Sequence, residues 1–193
     1  MWKNIKVYPW IPPLYEENNI FPYRTLVLGE SNYTSEKNFN SNLVIATVEE
    51  HISKNSDKNF SRFATKIRRT ILGIDTKVIA KEFWNSVAFY NFIQYRVGAN
   101  SGDRPTETMW KESIPAFEEL ITTIKPERIL VLGKKNWNNL TQHIKHEKIS
   151  DCKIKINYNS SEITLGYITH PSSGGGQFTY DKSVPIAQEV IFN

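Results

Sequence analysis

Four short apolar stretches of this chain each end in residues that could bind a ligand or take part in catalysis. The last of them, residues 165–169, leads into His170 and the glycine-rich loop 171–176. The other three end in a similar way. Residues 25–28 lead into a Gly-Glu-Ser segment at 29–31, residues 86–90 lead into Asn91, and residues 128–132 lead into a Gly-Lys-Lys segment at 133–135. If these stretches are neighbouring parallel strands, their carboxyl ends share the sheet edge at which open α/β sheets bind ligands. The sequence therefore predicts a site that combines an imidazole, a carboxylate, an amide and ammonium groups.

The apolar spacing of the other segments predicts the elements that would position this site. Helical stripes with a period near 3.6 occur in residues 60–71, 110–124, 137–144 and 184–191. Residues 153–157 and 162–169 are predicted as two strands around a turn. This alternation favours a single α/β domain over residues 1–193, a three-layer α/β/α fold with a central, mostly parallel four-stranded sheet. Residues 1–24 would form an N-terminal arm across the core.

The composition excludes several kinds of site. Cys152 is the one cysteine of the sequence, so neither an internal disulfide nor a cysteine-held zinc or iron–sulfur site can form within it. His143 and His146 have the spacing of a metal pair without a visible third ligand, and we predict no metal and no cofactor. No apolar run is long enough to cross a membrane, and residues 1–6 lack the features of a signal peptide. We therefore expect a cytoplasmic protein with no membrane partner.

The segments at the strand ends resemble, in their order, motifs of the uracil-DNA glycosylase superfamily from about residue 24 onwards. Residues 29–33, Gly-Glu-Ser-Asn-Tyr, are similar to the first motif of that family, and residues 169–173, Thr-His-Pro-Ser-Ser, are similar to its second catalytic motif. Residues 88–94 resemble the strand whose asparagine reads the base. Several further segments occur in the same order as in the thermophile-type branch of the family. They are Arg104-Pro105-Thr106, a long helix, Lys125-Pro126-Glu127-Arg128 and Val131-Leu132-Gly133.

This resemblance implies a monofunctional DNA glycosylase that hydrolyses the N-glycosidic bond of uracil or another modified pyrimidine. The base would be flipped into a pocket, and the product would be an abasic site. His170 would donate an N–H to the base oxygen that gains charge, and a neutral imidazole suffices for this. Asn91 would match the edge of uracil with one donor and one acceptor. A carboxylate, Glu36 as first choice or Glu30 as second, would polarise the attacking water.

Further roles follow from the same resemblance. Tyr33 would crowd the 5-position of the pyrimidine, and Phe39 would stack on the flipped ring. Gly29 and Ser31 would line the base site as parts of the first motif. Backbone N–H groups of the second motif, together with one lysine, would hold DNA phosphates: Ser172, Ser173, Gly174, Gly175 and Lys134. The expected partner is DNA, bound by a monomer.

The chain departs from the family at several positions. Ser31 stands where some members have a catalytic aspartate, whereas Glu36 stands seven positions after Gly29, as the glutamate does in thermophile-type members. Those members also carry a cysteine-bound iron–sulfur cluster, which this sequence cannot hold. Residues 173–178, in the place of a segment that usually wedges into DNA, are rich in glycine. These departures leave room for a substrate other than uracil, as in defence against modified phage DNA rather than repair.

Two other functions stay open at this stage. A catalytically inactive module could bind DNA or modified nucleotides through the same fold. A hydrolase could use Ser31 as nucleophile and His170 as base, although no acid partner has a motif. Structural interpretations also stand beside the functional ones: Glu36 as a solvated carboxylate, Phe39 as a core residue, and Asn91 as the cap of a turn.

Overall fold

A computed structural model gives the fold and describes residues 2–17, 20–53, 58–100, 102–159 and 161–193. Its strands are β1 Thr25–Gly29, β2 Asn32–Tyr33, β3 Ala88–Asn91, β4 Arg96–Gly98, β5 Arg128–Leu132, β6 Glu147–Ser150, β7 Lys153–Tyr158 and β8 Ser161–Ile168. Its α-helices are α1 Leu43–Ile52, α2 Lys58–Leu72, α3 Ala80–Trp84, α4 Glu107–Ile124, α5 Lys134–His143 and α6 Tyr180–Phe192. A short 3₁₀ helix spans Glu36–Asn38.

Six of these strands form the central sheet, in the order β3-β1-β5-β8-β7-β6. The pairs β3–β1, β1–β5 and β5–β8 are parallel, whereas β7 and β6 are added antiparallel. The prediction of a mostly parallel sheet is therefore confirmed, but its count of four strands is wrong. Strand β7 belongs to the same sheet through its hairpin with β8. Strand β6 was missed because its four residues are all exposed and show no apolar alternation.

Two apolar clusters lie on opposite faces of this sheet. Because successive residues of a strand point to opposite faces, Leu26 and Leu28 belong to one cluster and Val27 to the other. Helices α4 and α5 contribute to the first cluster, with Phe117 fully buried in it. Helices α1, α2, α3 and α6 contribute to the second, with Ile67 fully buried. The arrangement is compatible with three layers, α/β/α.

The long helix α4 begins and ends as its sequence indicates. The Thr106 side chain accepts a hydrogen bond from the backbone N–H of Met109 and caps the helix. Pro115 lies within the helix, which continues past it to Ile124. Lys125 then takes a left-handed conformation with φ 45°, and Pro126 cannot continue the helix.

The N-terminal arm covers the open edge of β3. Trp10 and Phe89 exchange both backbone hydrogen bonds, at 2.9 and 3.0 Å, and the Trp10 indole donates to the carbonyl of Trp84 at 2.7 Å. This bridge occupies backbone groups at the edge of β3 that would otherwise be open to another strand. Within the described ranges, no helix combines the length and the apolar character that a bilayer span requires.

Candidate functional site

The predicted site residues lie along the carboxyl edge of the four parallel strands. Gly29 at the end of β1 is in register with Asn91 at the end of β3, and Leu132 in β5 is in register with Ile168 in β8. Three strand spacings, about 14 Å, separate the ends of β3 and β8. The register alone therefore places the asparagine and the histidine at the same edge without bringing them close.

Two glycines allow these side chains to lean towards the central strands. A Cβ atom on Gly29 would overlap the Oδ1 of Asn91, so the carboxamide lies across the end of β1. Gly133 has φ 97°, and a Cβ on it would be 3.3 Å from the Cβ of His170, so this side chain lies against the end of β5. Since β1 and β5 are neighbours, the glycines shorten the separation that the strand order imposes.

An aromatic residue of α2 places the imidazole on the same face of the sheet as the carboxamide. The ring of Phe63 stacks on His170 with centroids 5.4 Å apart and also contacts Phe89 at 6.4 Å. Phe89 precedes Asn91 by two positions, so their side chains share a face. Lys66, one helical turn after Phe63, donates from Nζ to the carbonyl of Pro171 at 2.7 Å. Helix α2 therefore fixes the loop that carries the histidine.

The surroundings of His170 determine its tautomer and its charge. The backbone N–H of Ser172 donates to Nδ1 at 3.1 Å, which assigns the proton of the neutral ring to Nε2. Burial, together with the positive charges of Arg104 and Lys66, lowers the pKa of His170 to about 4. At neutral pH the residue is therefore an uncharged imidazole with its N–H donor on Nε2.

A second side-chain network holds Asn91. Its Nδ2 donates to the Oδ1 of Asn32 at 2.8 Å, and its backbone carbonyl accepts from the Nε2 of Gln94 at 3.0 Å. The Oε1 of the buried Gln94 accepts from the backbone N–H groups of Lys6 and Val7, both at 3.0 Å. Through Gln94, the N-terminal arm and the strand end are joined in one network.

The side chains of Glu30, Ser31 and Tyr33 in the first motif interact with one another. The phenol of Tyr33 donates to the Oε1 of Glu30 at 3.2 Å, and burial raises the pKa of Tyr33. The hydroxyl of Ser31 is buried next to this phenol. Among the described residues no hydrogen bond joins this hydroxyl to His170, as one would join a serine nucleophile to its base, so the hydrolase interpretation has no support from the geometry.

The other predicted residues have different surroundings. Glu36 is exposed in the 3₁₀ helix, and the partly buried Phe39 packs against the apolar cluster under α1 and α2. Lys134 is exposed in the first turn of α5, directly after Gly133. The predicted phosphate loop is open to solvent at Ser172, Gly174 and Gly175, and partly so at Ser173. The structure thus brings Gly29 into contact with Asn91, and Gly133 and Ser172 into contact with His170.

Sequence reasoning missed three residues that hold the site. Phe63 and Lys66 lie in the predicted helical segment 60–71, which had no link to the histidine loop. Asn32 was only a member of the first motif. The contacts of Lys66 with Pro171 and of Asn32 with Asn91 span 105 and 59 positions, so no local pattern announces them.

The described residues hold no group of three or more histidine, cysteine, aspartate or glutamate side chains that could bind a metal ion. A groove of about 520 Å³ lies elsewhere, between the N-terminal arm and α1, lined by Tyr8, Trp10, Ile45 and Glu49 among others. Neither a comparison with protein-family models nor a search of curated proteins gave a match.

Proposed function

We propose that this chain is a monofunctional DNA glycosylase that removes uracil or another modified pyrimidine from DNA. The observation that carries the proposal is that Asn91 and His170 lie at one edge and on one face of the sheet, each against a glycine, Gly29 or Gly133, of the two neighbouring central strands. The similarity of the strand-end motifs to the uracil-DNA glycosylase superfamily supports the same reaction.

The two side chains have complementary roles in this reaction. A base inside a duplex is out of reach, so the nucleotide must be flipped out before it is bound. Asn91 then reads the polar edge of the ring with its carboxamide. The Nε2–H of His170 donates to the ring oxygen that becomes negative as the glycosidic bond breaks. The neutral imidazole serves this purpose, because the donation needs only its one N–H.

A carboxylate polarises the water that attacks the sugar. Glu30 is half-buried and directly follows Gly29, where its carboxylate accepts a hydrogen bond from Tyr33. Glu36 is exposed, and its place in the chain matches the glutamate of thermophile-type members of that superfamily. The variants Glu30→Gln and Glu36→Gln separate these assignments, because the one that removes the functional carboxylate slows base release and its partner does not.

DNA is held through its phosphates on either side of the flipped nucleotide. The exposed backbone of residues 172–175 offers N–H groups, and Lys134 adds a positive charge beside them. Affinity should fall with added salt, with a log–log slope that becomes smaller by about 0.9 when one phosphate contact is removed, as by Lys134→Gln. Whether the role is repair or defence depends on which base is released.

The test is an alkali-cleavage assay on oligonucleotides that contain uracil or one of a panel of modified pyrimidines. We expect strand cleavage after treatment with the protein for at least one base, and loss of this cleavage in His170→Ala. Intact strands across the entire panel, in both single-stranded and duplex form, would refute the glycosylase.

One observation favours a second function, a module that binds DNA without cutting it. Ser31 occupies the place of a catalytic aspartate, and its hydroxyl, buried next to the phenol of Tyr33, carries no negative charge. This alternative predicts salt-sensitive DNA binding that persists in Glu30→Gln and Glu36→Gln, without base release by the unmodified chain. Measurable turnover that either substitution abolishes would exclude it.

A further inference from the structure

Two carboxamides face each other at the edge of the sheet. The Nδ2 of Asn91 donates to the Oδ1 of Asn32 at 2.8 Å, and Asn32 is only 8% exposed. The Nδ2 of Asn32 itself is buried and finds no acceptor within the described ranges. A buried donor without a partner is unfavourable, so this arrangement of the pair leaves free energy to be gained.

A joint half-turn of both carboxamides gives a second arrangement of the pair. The amide oxygen and nitrogen have nearly the same size, so the turn exchanges their places without a change of shape. The Nδ2 of Asn32 then donates to the Oδ1 of Asn91, and the unpaired group becomes a carbonyl oxygen, which buried sites tolerate better than an N–H. Each arrangement keeps one hydrogen bond between the two residues.

The turn also exchanges what Asn91 presents to a ligand. In the arrangement described, Oδ1 lies over Gly29, where the missing Cβ leaves room for it. After the turn, Nδ2 occupies this position and an acceptor has become a donor. A 4-oxo pyrimidine offers N3–H beside an oxygen, whereas a 4-amino pyrimidine offers a bare N3 beside an N–H₂ group. Each arrangement of the pair matches one of these two ring edges.

We infer that Asn32 is a specificity-determining residue, and that its pairing with Asn91 lets the site accept both 4-oxo and 4-amino pyrimidines. The inference rests on the proposed function in taking a pyrimidine as the ligand of Asn91. A site of fixed polarity rejects the mismatched ring by about 10⁴- to 10⁵-fold, because buried polar groups stay unpaired. The exchangeable pair keeps the ratio of the two affinities within about 10²-fold.

The experiment compares free uracil and free cytosine as ligands of the full chain, titrated by ¹⁵N–¹H NMR at pH 8. Asn32→Asp supplies an ionised carboxylate that only accepts, and therefore fixes Asn91 with its nitrogen towards position 32. We expect a wild-type affinity ratio below about 10² and a shift of this ratio by tenfold or more in Asn32→Asp. The exposed Asn138→Asp should leave the ratio unchanged.

A second measurement on the unmodified chain keeps the inference testable if Asn32→Asp does not fold. The side-chain N–H₂ resonances of Asn32 should move in opposite directions with uracil and cytosine, because its nitrogen is hydrogen-bonded to Asn91 in only one of the two complexes. Equal shifts, a wild-type ratio above about 10², an unshifted ratio in the variant, or binding of neither base would each overturn the inference. Failure of the proposed function differs: both bases bind, yet no oligonucleotide loses its base.

Discussion

The two ends of the candidate site are held by different kinds of contact. At one end, a backbone N–H, an aromatic ring and a lysine anchor act on His170 and its loop, and the backbone donor leaves the ring a single tautomer. At the other end, Asn91 is held by Asn32, a side chain that is able both to donate and to accept. Backbone contacts therefore define one group chemically, whereas a side-chain amide leaves the polarity of the other to its surroundings.

The largest expected effect comes from removing the imidazole of His170. His170→Ala should lower the rate of base release by about 10²–10³-fold, since removal of one positioned donor has this cost in other enzymes. Single-turnover rates on the best substrate of the panel measure it. His143→Ala, at an exposed position of α5, is the matched control. A rate close to that of the unmodified chain would mean that the imidazole only supports the loop.

The lowered pKa of His170 should make stability depend on pH. Burial holds this pKa at about 4 in the folded chain, below the usual 6.5. Between these values the unfolded chain binds a proton that the folded chain does not, so stability falls as pH drops from 6.5 towards 4. The shift corresponds to about 3 kcal/mol in the free energy of unfolding.

Urea unfolding at a series of pH values between 4 and 7.5 measures this dependence. The comparison must be made with His170→Ala, because burial also lowers the pKa of His51 and contributes in the same direction. The unmodified chain should lose more stability on acidification than the variant. Parallel curves for the two proteins would show that His170 is protonated as easily in the folded state as in the unfolded one.

The convergence of the strand ends was predictable because each end carries its own local signal. An apolar run followed by Gly29, Asn91 or His170 indicates a buried strand with a possible site residue at its carboxyl end. The observed register places these carboxyl ends at one edge of the sheet. Strand β6 was not predictable, since four exposed residues lack a buried face. The ladder of β2 and β4 was missed as well, because two- and three-residue strands are too short to show a period.

The packing of the Asn91 and His170 side chains over neighbouring strand ends depends on contacts between residues that are distant in the sequence. The sequence shows Gly29 and Gly133 as ends of strands, but not that each accommodates a side chain from elsewhere. Gly133 is packed against His170, 37 positions later, and Gly29 lies under Asn91 of the adjacent strand. Such positions can be assigned only after the strand order is known.

Gly29→Ala tests the other end of the site by displacing the carboxamide of Asn91. A Cβ at this position would overlap the Oδ1 of Asn91, so the side chain must move away from the end of β1. A displacement of about 1 Å in a positioned group can lower a rate by about 10²-fold, and we expect base release to fall by this amount. Gly102→Ala is the control, because its Cβ would meet no atom within 4 Å. Equal rates for the two variants would show that Asn91 does not need its position over β1.

The smallest expected effect comes from the lysine that anchors the histidine loop. Lys66→Met removes the hydrogen bond to Pro171, at a cost of about 1–2 kcal/mol in stability, and one of the charges that disfavour protonation of His170. The pKa of His170 should therefore rise from about 4, but only in part, because burial and Arg104 remain. NMR titration of the imidazole C–H resonances measures the change, with the exposed Arg69→Met as the control. If both variants titrate like the unmodified chain, the backbone N–H of Ser172 and the burial of the ring define this end of the site without help from α2. If only Lys66→Met rises, the low-pH limit of base release should move upward with it.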